Sequence, residues 1–98
     1  MSEGVHRVVA PQEVDPSSVD ELVQQLAAAP ASSVVDVDCS GVTFMDSAGV
    51  RALSMGAQRQ QAGGGELRVV RPTAVVRRIL DITDLATLIS DDDDDERG

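Results

Sequence analysis

Asp46-Ser47 is the one place in this 98-residue chain where residue type and spacing could do chemistry. Asp46 is a good helix N-cap, because its carboxylate can accept hydrogen bonds from the unpaired amides of a first turn. Ser47 then becomes the first helical residue, with its hydroxyl outward. A helix N-terminus carries free N–H groups and a partial positive charge, so it tolerates an added anion. A phosphate on Ser47 would gain from those amides and be repelled by the Asp46 carboxylate. It would also add about −1.5 to −2 charges at neutral pH, changing the local surface abruptly. Serine is common at helix starts, and spacing alone favours that ordinary reading.

The elements that position Ser47 are legible around it. Val34-Val35-Asp36-Val37 is an apolar, β-branched run closed by Cys39-Ser40-Gly41, and it suits a strand of a parallel sheet covered on both faces. The stretch from Asp38 to Asp46 reads as a loop that exposes Phe44 and Met45. Val50, Leu53 and Ala57 share one face of the helix that follows, which the pattern runs to Gln61.

The run Ser40-Gly41-Val42-Thr43-Phe44-Met45-Asp46-Ser47-Ala48-Gly49-Val50 resembles the signature of the STAS domain family, specifically the bacterial anti-sigma-factor antagonists. The resemblance implies that Ser47 is the serine phosphorylated by a partner anti-sigma factor, itself a serine kinase, with a phosphoserine phosphatase to reverse the step. It places Asp15 beside that serine, although on its own residues Asp15 equally reads as the start of a turn before Pro16. Around the hydroxyl, Phe44, Met45, Asp46, Ala48, Gly49, Val50 and Arg51 become the partner-binding residues, the small Ala48 and Gly49 allowing close approach. The resemblance covers roughly residues 5 to 90. Pro72 to Leu85 resembles the family's third-helix pattern, with Arg71 and Asp84 standing where that pattern has Ser and Gly.

Taken in order, Val5 to Ala10 reads as a strand and Pro11 to Pro16 as its break. Ser18 and Glu21 form a capping box for a helix that runs to Ala29, where Pro30 stops it. Gly63-Gly64-Gly65 makes a turn. No Lys-Ser/Thr follows these glycines, so they are not a phosphate-binding loop. Glu66 to Val70 is a strand. Arg71-Pro72-Thr73 starts a third helix, with Val75, Val76, Ile79 and Leu80 inward and Arg77 and Arg78 in water. Ile82 to Leu85 is a loop and Ala86 to Ile89 a last short strand. This order predicts an α/β domain over residues 1–90, STAS-like, with a mainly parallel four-stranded sheet and helices packed on it. Only one strand fits before Asp15, and aspartates stand where the family has a closing helix, so the fold is expected to be shortened at both ends.

Composition narrows the function classes. Phe44 is the only aromatic, so base stacking has no platform, and no basic stripe suits nucleic acid. The single Cys39 makes neither a disulfide nor a metal site, and His6 has no second ligand beside it. Neither a leader nor a membrane span is expected, and a reducing cytoplasm fits. Residues 91–98 read as an acidic, disordered tail. Its six acids against one arginine carry more than half of the net charge of −9. These flexible aspartates lack the fixed geometry of a calcium site, but they would attract a basic partner. Ser47 has no base near it, so an enzyme is not expected, nor is a cofactor. The competing expectation is a STAS scaffold or an accessory subunit of a stress-signalling assembly or transporter, in which Ser47 never carries phosphate.

Overall fold

The computed structural model describes residues 5–90; the acidic tail read over 91–98 lies outside them. A main sheet of four strands, β1 (Val5–Val9), β3 (Val34–Asp38), β5 (Glu66–Val70) and β6 (Ile89–Ser90), runs in that spatial order with every pair parallel. Between them lie the helices α1 (Val19–Ala28), α2 (Ser47–Ala62) and α3 (Ala74–Ile82). The predicted α/β architecture is therefore the observed one. Two further strands of two residues each, β2 (Glu13–Val14) and β4 (Phe44–Met45), pair in parallel as a separate ribbon.

That ribbon corrects two expectations. Residues 11–16 are not simply a break, because β2 is a second strand before Asp15. Nor is residues 38–46 a plain loop, because Thr43 N–H donates to the Gln12 carbonyl at 2.8 Å and Asp46 N–H to the Val14 carbonyl at 3.1 Å. Two residues of strand are too few to show as a periodic pattern. The last segment also differs. Ala86–Leu88 is a single 3-10 turn, and only Ile89–Ser90 is strand.

The core is aliphatic, as the composition requires. Val8, Val35, Val37, Leu67 and Val69 of the sheet pack with Leu22 and Leu26 of α1, Leu53 of α2, and Val76 and Leu80 of α3. The expected two-sided burial of β3 holds, but only one of its faces is covered by the helices. Its residues alternate, with Val35 and Val37 toward the helices and Asp36 and Asp38 on the opposite face. Across the strands, Arg7, Asp36 and Arg68 stand in one register row. Arg68 meets Asp36 in a two-point ion pair, Nε to Oδ1 at 2.8 Å and Nη2 to Oδ2 at 3.2 Å. Asp38 accepts from Arg71 at 2.6 Å and from the Ser40 amide at 2.9 Å. Burial opposes the Asp38 charge, but these hydrogen bonds and the Arg71 guanidinium outweigh it and hold the carboxyl below its ordinary value of 3.8. Cys39, fully buried beside it, has its thiol pushed up to about 12, mainly by that burial, so it stays protonated and inert at neutral pH.

Helix ends are fixed by the chain's own groups. Ser18 precedes α1 but makes no capping box; its hydroxyl donates to the Glu13 carbonyl at 2.5 Å. The helix is instead closed at its far end by α2. Arg59 Nη1 donates to the Ala29 carbonyl at 3.0 Å, and buried Gln60 donates through Nε2 to the Pro30 and Ser33 carbonyls. The polar last turn of α2 is thus a latch between helices. Pro72 lies just outside α3, whose N-cap is Thr73, and Val75 is exposed rather than part of the apolar face.

Both α2 and α3 stop in the same way. In α2, Gly65 N–H reaches the Gln60 carbonyl at 2.7 Å and Gly64 N–H the Gln61 carbonyl at 3.2 Å, with Gly64 at φ +93°. In α3, Leu85 N–H reaches the Leu80 carbonyl at 2.7 Å and Asp84 N–H the Asp81 carbonyl at 3.2 Å, with Asp84 at φ +68°. This paired pattern is the Schellman termination, which wants glycine at the left-handed position. Aspartate is among the few side chains that tolerate it.

Two outcomes are expected in denaturation experiments. Asp84→Val places a β-branched residue at positive φ and is expected to lower stability by about 1–2 kcal/mol, whereas Asp84→Gly should leave it unchanged or raised. For Asp38, the lowered value means that its contribution is complete above pH 3.8 and disappears as pH falls below that point. Asp38→Asn should therefore flatten the acid limb of the stability curve measured by urea titration.

Candidate functional site

The site is assembled by the β2–β4 ribbon. Its register sets Val14 opposite Met45, so Asp15 and Asp46, the next residue on each parallel strand, leave the ribbon as neighbours. Asp46 then caps α2 as the sequence predicts, its Oδ1 accepting from Ala48 N–H at 2.9 Å. Ser47 follows as the first residue of the helix and is exposed. Asp15 is drawn into its own turn. Its Oδ1 accepts from the Ser17 hydroxyl at 2.7 Å and from the Ser17 and Ser18 amides. The Ser17 hydroxyl is the main reason its carboxyl lies below the ordinary value, so Asp15 is charged at neutral pH.

The remaining predicted residues divide between surface and interior. Phe44 is 47 % exposed, while Met45 is only 4 % exposed. Gly49 is buried as well, and a Cβ placed there would come within 2.7 Å of both Met45 Cγ and Val14 Cγ1. These two corrections have one cause. The ribbon rests directly on the first turn of α2, so the glycine admits the protein's own strands rather than an outside partner. Ala48 and Val50 are half-buried and Arg51 is exposed.

Beside Ser47 lies an open groove of about 550 Å³, walled by Pro16, Val50, Arg51, Met55, Thr83 and Leu85. Met55, 61 % exposed, is not among the residues expected at the site from sequence. A signal for it is present, since Ser47, Arg51 and Met55 lie at i, i+4 and i+8 on one helix face. Nothing local points to Leu85, which reaches the groove because Asp84 turns the chain left-handed just before it. Phe44 is not among the groove walls.

The arrangement presents a hydroxyl at a helix N-terminus, the capping carboxylate of Asp46 and a groove of mixed polar and apolar lining with one arginine. Among the described residues no group of His, Cys, Asp and Glu could hold a metal ion, and no helix is long and apolar enough to cross a membrane.

The comparisons with known proteins agree with this geometry. The family model described as "Mlab, STAS domain" matches residues 3–90. Among solved structures, that of the anti-sigma factor antagonist SpoIIAA in its unphosphorylated form superimposes with a TM-score of 0.77. That similarity covers 91 % of this chain and 80 % of the other, at 17 % identity. No curated protein matches the sequence significantly.

Loss of the cap should be measurable without any partner. Asp46→Ala is expected to cost about 1 kcal/mol, read as a lower midpoint in chemical denaturation, and to raise amide exchange at Ala48 first.

Proposed function

The chain belongs to the STAS domain family, and we propose that within it this protein is an anti-sigma-factor antagonist switched by phosphorylation of Ser47. Unphosphorylated, the Ser47 face docks on an anti-sigma factor serine kinase and makes it release a sigma factor. The kinase inactivates the antagonist by modifying Ser47, and a phosphoserine phosphatase restores it. The phosphoryl chemistry belongs to the kinase, and this chain acts as a binding module in the cytoplasm.

The observation that carries the reading is the exposure of Ser47 at the N-terminus of α2, in the wall of an open groove where apolar and polar side chains mix. The fold is also shared with an anti-sigma factor antagonist. The docking surface is Ser47, Ala48, Val50 and Arg51, extended by Met55 and Leu85, with Asp15 and Asp46 at its edge. Phe44 offers a separate apolar contact. Met45 and Gly49 hold this surface in place from beneath.

The switch rests on electrostatics and needs no conformational change. A phosphate on Ser47 would stand next to the Asp46 carboxylate and close to that of Asp15. The helix amides favour it, so the free protein accommodates the modification in water. In the complex the same dianion would be taken out of water at that groove, at a cost of several kcal/mol. Since about 1.4 kcal/mol is tenfold in affinity, even partial burial separates the two states.

The decisive experiment uses the partner kinase. Ser47→Asp is expected to weaken binding at least tenfold, while Ser47→Ala binds as the parent does and resists inactivation by ATP. Mass spectrometry should find one phosphate on the parent and none on Ser47→Ala. Equal affinities for both variants, with no phosphate on either, would replace this reading with a constitutive STAS scaffold or transporter subunit.

A further inference from the structure

Arg51 is exposed, one helical turn after Ser47, and among the described residues it is the only cation in the wall of the Ser47 groove. No described acid forms an ion pair with it. The helix itself offers none, because the positions three and four residues away are Ser47, Ala48, Ser54 and Met55. The first-turn amides, by contrast, are already engaged. Ala48 N–H donates to the Asp46 carboxylate at 2.9 Å, and the N–H groups of Gly49 and Val50 donate to the Asp46 carbonyl at 3.0 Å and 3.2 Å. Beyond the general field of the helix end, a phosphate on Ser47 must therefore find its hydrogen bonds on a side chain. Thr83 across the groove is not that side chain, since its hydroxyl donates to the Ile79 carbonyl at 2.7 Å.

We propose that Arg51 is the positioning residue for a phosphoserine at position 47: its guanidinium turns back along α2 and holds two oxygens of the phosphate. This rests on the phosphorylation reading above and adds how the modified state is held. Helical side chains lean toward the N-terminus, so a residue four places on lies over the turn that carries the first. Cβ atoms at that spacing are about 5–6 Å apart, a gap that arginine and phosphoserine bridge with the backbone unchanged. The guanidinium presents its donors as a planar fork that matches two phosphate oxygens, and it stays charged wherever the dianion exists. The other charges near the phosphate are negative: Asp46 before Ser47, Asp15 on the turn after β2, and Asp84 before the groove wall Leu85. Among the described side chains at the groove, Arg51 alone therefore favours the doubly charged phosphate. The modification removes two features of the surface at once, the small neutral hydroxyl and the unpaired positive charge, and lays the dianion along the helix.

The test installs phosphoserine at position 47 of the full chain by genetic encoding, so that no kinase is needed. Followed by phosphorus NMR, the second phosphate ionisation of the parent is expected to lie about half a unit or more below that of the Arg51→Gln phosphoprotein. The difference should shrink at 1 M salt, where the screening length is only about 3 Å. The Arg51 Nε–H signal should sharpen and move downfield as the phosphate becomes doubly charged. Arg51→Lys should keep part of the lowered ionisation, because the charge remains and the two-point fork is lost. Since Arg51 is exposed, both unmodified variants should show the parent's dispersed spectrum. Equal ionisation in parent and Arg51→Gln, or an Arg51 Nε–H signal unmoved by the phosphate, would overturn the proposal. A partner kinase that leaves Ser47 unmodified changes none of these readouts, so the two readings fail separately.

Discussion

The contact on which the site depends is the seating of Val14 and Met45 against Gly49. Only a residue without a side chain lets the β2–β4 ribbon come this close to the first turn of α2. Once it does, the backbone bond from Asp46 N–H to the Val14 carbonyl fixes where the helix begins. The cap on Ala48 and the exposure of Ser47 both derive from that single approach. A helix end of small side chains has little enthalpy of its own to hold it. Its definition comes from the core beneath.

Charge is arranged in layers around this framework. The bare face of the sheet neutralises its own acids, Asp36 through Arg68 and Asp38 through Arg71. At the Ser47 end, the Asp46 carboxylate caps the Ala48 amide, and that of Asp15 is held in its own turn by Ser17 and Ser18. The outer face of α3 is basic through Arg77 and Arg78. Ser47 stands exposed at the head of α2, next to the carboxylate that caps the helix.

Two positions show how a departure from a familiar motif is absorbed. Asp84 stands where the resembled pattern has glycine, yet it adopts the same left-handed conformation and ends α3 with the same pair of hydrogen bonds that Gly64 gives α2. That turn carries Leu85 to the groove beside Ser47. The left-handed residue and the groove beside Ser47 are therefore linked through one backbone angle.

The order of the elements, the parallel α/β class, the Asp46 cap and the placement of Ser47 at the head of α2 are all written in the chain. They rest on local chemistry: β-branched runs, a capping carboxylate, proline and glycine stops. Which residues face inward was settled only on folding. Met45 and Gly49 read as surface because nothing in a two-residue strand marks its partner, and β2 lies 31 residues away from β4 in the chain. How the polar face of β3 is covered was hidden for a similar reason. Asp36 and Asp38 are covered by arginines from neighbouring strands, and only the register of the folded sheet brings those charges together.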